Sequence, residues 1–128
     1  MRFMLLAACG GALGAMARYI IGLWALRLWG AHFPWGTFIV NIAGSFLAGI
    51  CLEIILKTLP TSLIAEMRAL MITGVLGGFT TFSVFSLDII TLFERKAHGL
   101  AIVYIVGSIG LGVLAALAGF GLAKWFFS

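Results

Sequence analysis

This chain has little charge. Four of its 128 residues are Asp or Glu and eight are Lys or Arg, so 9% are charged while 63% are hydrophobic. With a mean hydropathy of +1.22, no water-soluble domain of this size could keep such a surface in solution, and the class is an integral membrane protein. Histidine and cysteine are equally scarce, at two each. His32 and His98 fall in connections, and no metal-ligand spacing or phosphate loop is present, which excludes the usual enzymatic constellations. Cys9 and Cys51 stand in apolar surroundings and read as two small buried hydrophobes rather than a disulfide or metal pair. The net charge of +4 is scattered without patch or stripe, which excludes a nucleic-acid surface.

What is present is a set of long apolar runs. A spanning helix needs about 20 mostly apolar residues. The gaps between charges predict an all-α membrane protein of four transmembrane helices at 2–28, 35–56, 66–93 and 98–127, forming one channel-sized domain over 1–128. Leu6-Ala7-Ala8-Cys9 resembles a lipoprotein cleavage box, but the charged and apolar regions before it are too short. The apolar pattern continues to Leu28, so a retained first span is expected.

The few charges report topology. With four spans, one side carries Arg2, Lys57, Arg68 and Lys124, and the other Arg27, Arg95 and Lys96. Basic residues normally accumulate on the cytoplasmic side, and this near balance fits a chain that inserts both ways. Two opposed copies could then pair as an antiparallel homodimer about an axis in the membrane plane.

Polar groups inside the spans are arranged, not scattered. Thr37, Asn41 and Ser45 recur at every fourth position and share a helical face; Tyr104 and Ser108 do the same in the fourth span, where Gly112 and Ala116 continue the line. Hydroxyls in spans usually bond to a neighbouring helix. Asn41, with two donors and two acceptor lone pairs to satisfy at mid-span, demands more. Arg18 is the one charge well inside the first span and is a candidate for a pore vestibule or for an anchor paired with a carboxylate or carbonyl. Asp88 is the main acid of the third span.

The third span holds Gly77-Gly78-Phe79-Thr80-Thr81-Phe82-Ser83-Val84-Phe85-Ser86. A glycine pair beside clustered hydroxyls predicts a helix broken near Gly77-Thr80, and interrupted backbone at bilayer depth survives only where protein or a water-lined path satisfies it. Phe82 and Phe85 are three apart on the helix that follows. Ring edges are positive and can favour a small anion, whereas unwound carbonyls suit an alkali cation.

Taken with Gly10-Gly11-Ala12-Leu13-Gly14-Ala15-Met16-Ala17-Arg18-Tyr19 and Pro34-Trp35-Gly36-Thr37-Phe38-Ile39-Val40-Asn41, this stretch resembles the CrcB/Fluc family of fluoride channels. The three motifs occur in the family's order from the first span to the third. The resemblance implies a dual-topology antiparallel homodimer that exports fluoride passively across the bacterial inner membrane through two antiparallel pores. On matching positions it implies Asn41 as the pore asparagine, Phe82 and Phe85 as the rings whose edges face fluoride, and Thr37 and Ser108 as hydroxyls along the path. Tyr104, Thr81 and Ser83 complete the candidate pore set, and Arg18 matches the family's first-span arginine. It further implies a structural sodium ion at the dimer interface, held by the backbone carbonyls of Gly77 and Thr80. Where some relatives have a second serine one turn past Ser108, this chain has Gly112. Small multidrug transporters share the four-span dual-topology plan but need an acid in the first span, where this chain has Arg18. A non-transporting scaffold would leave Asn41 and the hydroxyl stripes unexplained.

Overall fold

Four apolar stretches in a chain without water to bond must satisfy their own backbones, and helices do this within each segment. The computed structural model describes residues 1–127; Ser128, the last position of the expected domain, lies outside the described residues. The elements are α1 (Arg2–Trp29), α2 (Trp35–Thr58), α3 (Thr61–Met67) running on through a π-helical stretch (Arg68–Leu76) into α4 (Gly77–Phe79), then α5 (Ser83–Glu94) and α6 (His98–Phe127). Among the described residues there is no strand. Four helical stretches are long and apolar enough to cross a membrane, the third of them being Thr61–Glu94 taken as a whole.

The third span thus starts five residues before the expected position. Pro60 sets an extended backbone (φ −65°, ψ 151°) immediately before the first turn, and Leu63 N–H donates to its carbonyl at 2.9 Å. Glu66 does not end the span because Arg2 neutralises it at 3.3 Å, tying the start of α1 to the same end of the bundle.

Lipid gives helices no hydrophobic reason to associate, so close packing through small residues has to hold them. Gly10 and Gly14 carry α1 against the π-helical stretch: a Cβ at Gly10 would overlap the Leu70 carbonyl, and one at Gly14 the Val75 carbonyl. Gly78 meets the backbone of Gly11 in the same way. On the other side of the bundle, Gly49 of α2 lies on the Ala116 carbonyl and Gly119 of α6 on that of Phe46. These pairings make α1 parallel to the third span and α2 parallel to α6, and Gly36 against Gly22 joins the two pairs antiparallel. A buried hydrophobic cluster of Phe33, Phe85, Leu92, Ala101 and Tyr104 closes the end of the bundle where the α1–α2 and α5–α6 connections lie.

Candidate functional site

The glycine pair does not break the helix. Gly77 keeps helical angles (φ −63°, ψ −36°), and its N–H donates back to Ile72, five residues earlier. The break comes three residues later, at Thr80. Thr80 directs both its N–H and its Oγ1 to the Leu76 carbonyl, each at 2.9 Å, and then turns extended (φ −90°, ψ 159°). A hydroxyl bonded back onto its own helix competes with the ladder and bends it. Gly78 serves instead as a surface on which α1 lies, through the backbone of Gly11.

Residues 80–82 would leave unsatisfied amides in lipid if nothing replaced the ladder. Asn41 replaces it. Its Oδ1 accepts from Thr81 N–H at 2.8 Å and its Nδ2 donates to the Thr81 carbonyl at 3.1 Å, a two-point clamp between α2 and the break. Thr81 Oγ1 then accepts from Val84 N–H at 3.2 Å and lies 3.4 Å from the Ser83 hydroxyl, starting α5. Arg18 Nε donates to the Gly78 carbonyl at 3.0 Å, so the first-span arginine is tied to the break itself.

These bonds divert two amides from their helical acceptors. Thr81 N–H would otherwise reach the Gly77 carbonyl and Val84 N–H that of Thr80. Among the described residues neither carbonyl accepts a hydrogen bond outside the helical ladders. The Gly77 and Thr80 carbonyls are hard-oxygen donors, and among the described residues no cluster of carboxylate, histidine or cysteine could hold a metal ion.

Beside the break lies a groove of about 250 Å³ lined by Asn41, Thr81, Phe82, Phe85 and Ser108, with Ser45, Thr80 and Ile109 completing its wall. The two rings stand 5.8 Å apart at 47°. They differ in setting: Phe85 is 6% exposed, while Phe82 is 78% exposed and faces out of the subunit. Ser108 Oγ is buried without a hydrogen-bond partner. The other such oxygen among the described residues is Glu53 Oε1, further along α2 and outside the groove.

Thr37 and Tyr104 are not in this groove. Thr37 lines a second hollow of about 290 Å³ with Asp88 and the α1–α2 connection. Tyr104, fully buried, donates its hydroxyl to Asp88 Oδ2 at 2.8 Å and packs on Phe85 at 5.0 Å. Phe85, which lines the groove, is thus linked through Tyr104 to Asp88 in the hollow. Ser83 touches the site only through Thr81, and Arg18 only through Gly78. Beyond Ser108, a third hollow of about 320 Å³ is lined by Ser45 and Gly112, and a Cβ at Gly112 would sit 3.7 Å from Ser45 Oγ. Ser45 was visible in the stripe of α2. Ile109, apolar and without periodic signal, was not.

Residues 5–120 match the family model described as CrcB-like protein, Camphor Resistance (CrcB). Curated relatives include the protein of Agrobacterium fabrum, 51% identical over 93% of this chain and 94% of its own length. That of Rhizobium meliloti is 50% identical over 97% and 98%, and that of a Caulobacter species 45% over 98% and 97%. Each of the three carries the name fluoride-specific ion channel FluC. With the match spanning all four membrane helices, the chain belongs to the CrcB family.

Proposed function

We propose that this protein is a fluoride-selective ion channel that lets fluoride leave bacterial cells passively across the inner membrane. The observation that carries the proposal is the groove at the break, together with the names its relatives bear. An anion leaving water must find donors in place of its hydration shell, without a fixed positive charge that would hold it. Asn41 has one N–H left after clamping Thr81. Ser108 has an unpartnered hydroxyl, and Phe82 and Phe85 add ring edges. All three contacts are short-range, and a compact anion gains most from them.

The groove is open on the side of Phe82, and a second copy of the chain completes it in this reading. An antiparallel homodimer would bring two such grooves together as two pores, with the freed Gly77 and Thr80 carbonyls of both subunits meeting around a structural sodium ion. A cation there would offset the repulsion between anions in neighbouring pores. Thr37, in the second hollow, would continue the path beyond Phe85 and Tyr104. The rival reading, a small multidrug transporter, has no support from a first span whose only deep charge is Arg18 bonded to a carbonyl.

Purified protein in liposomes should pass fluoride down its gradient, follow an imposed potential and leave chloride nearly untouched. Equal fluoride and chloride release at an ion-selective electrode would refute the selectivity. Flux that ignores voltage would replace the channel with a proton-coupled carrier.

A further inference from the structure

Arg95 stands outside every span, yet its guanidinium donates to two consecutive carbonyls of a connection more than sixty residues away: Nη1 to Ala31 O at 3.1 Å and Nη2 to His32 O at 2.6 Å. The fork is aimed by the way α5 ends. Arg95 closes the helix (φ −81°, ψ 4°), and Lys96 takes a left-handed conformation (φ 59°). Lys96 N–H then bonds Phe93 O and Ala97 N–H bonds Leu92 O, each at 2.9 Å. Leu92 is buried, so the platform that holds the fork is anchored in the core.

The connection held in this way is not a passive tether. Phe33, the residue after His32, is buried and meets Tyr104 edge-on, with centroids 5.4 Å apart at 87°. It also packs at 4.7 Å on Trp35. Gly30, Ala31, Phe33 and Pro34 line the same hollow as Thr37 and Asp88. Nothing covalent keeps this stretch in place between α1 and α2 except its own five residues. A planar fork bonded to two carbonyls fixes both position and rotation, which a single point charge cannot do.

We infer that Arg95 is a positioning residue: through the carbonyls of Ala31 and His32 it holds Phe33 against Tyr104 and so sets the width of the outer hollow that contains Thr37 and Asp88. The inference rests on the channel reading only for its effect on flux; its effect on access to the hollow stands alone.

The test uses full-length protein with Cys9→Ser and Cys51→Ser, carrying Thr37→Cys as a reporter of access to a membrane-impermeant thiol reagent. Fluoride flux is measured in the same background without the reporter. Arg95→Gln and Arg95→Lys are both expected to speed labelling about threefold to tenfold and to lower fluoride flux, because neither side chain can bridge both carbonyls. Phe33→Leu should do the same, and the double variant with Arg95→Lys should be no worse than the stronger single, since both act on one contact. Labelling and flux in Arg95→Lys equal to the parent, with Arg95→Gln impaired, would show that charge alone matters and overturn the latch. Parent-like labelling in both Arg95 variants would overturn it as well, as would additive effects of the Phe33 and Arg95 changes. If the parent passes no fluoride, the channel reading falls while the labelling rates still decide the latch.

Discussion

Asn41 commits one N–H and one lone pair to Thr81, and this alters what its replacement can reveal. Asn41→Asp would set a carboxylate oxygen against the Thr81 carbonyl 3.1 Å away, adding charge beside the path and breaking half of the clamp together. Interhelical bonds in membranes average about 0.6 kcal/mol and reach about 1.7, so the clamp matters more for geometry than for stability. Asn41→Ala loses the clamp without adding charge. Fluoride efflux from liposomes should fall in both variants and about a hundredfold or more further in Asn41→Asp, since a unit charge at about 4 Å repels an anion by several kcal/mol at an effective dielectric of about 20. Equal losses would mean that clamp geometry alone controls passage, and undiminished flux in both would remove Asn41 from the path. Helical spacing made the stripe of Thr37, Asn41 and Ser45 legible in the sequence. The partner of Asn41 was not, because Thr81 lies 40 positions away and no local rule names it.

At the scale of elements, the fold depends on backbones in contact. Gly14→Ala would drive a methyl into the Val75 carbonyl and toward the Phe79 amide, where flexible side chains cannot yield. Overpacking of this kind costs about 1–3 kcal/mol, and thermal unfolding in detergent should shift downward accordingly. Gly110→Ala on α6 has open space around it and serves as the control, expected to melt with the parent. Equal melting of the two variants would deny the close approach of α1. Span number and the fourth span's limits, 98–127, were readable from hydropathy, which depends only on composition. The π-helical stretch Arg68–Leu76 was not, since its extra residue per turn leaves no mark in an apolar run. Nor was the origin of the break. Gly77 and Gly78 looked like helix breakers, yet both stay helical, Gly78 packs on Gly11 of α1, and the backbone leaves the helix at Thr80, one turn after Leu76.

The whole molecule shows apolar side chains on every flank, from Phe3 and Trp24 to Leu117 and Trp125, as a chain surrounded by lipid must. Its basic residues divide almost evenly between the two ends, with Arg2 paired to Glu66 at one and Arg95 engaged with the α1–α2 connection at the other. Within that surface the groove brings a ring as exposed as Phe82 beside an unpartnered hydroxyl, that of Ser108. If its missing wall comes from a second copy, inheritance is affected as well as conduction. A defective chain would spoil the intact one it joins, and with equal amounts of both, random pairing leaves about three quarters of all pairs containing a defective member. At a fixed total amount of chain, fluoride tolerance of cells coexpressing equal amounts of the parent and an Asn41→Asp chain should therefore drop to about a quarter of that conferred by the parent alone, rather than to half, a dominant trait from a loss-of-function allele. Tolerance that merely tracks the amount of parent chain would mean that each subunit carries a whole path of its own.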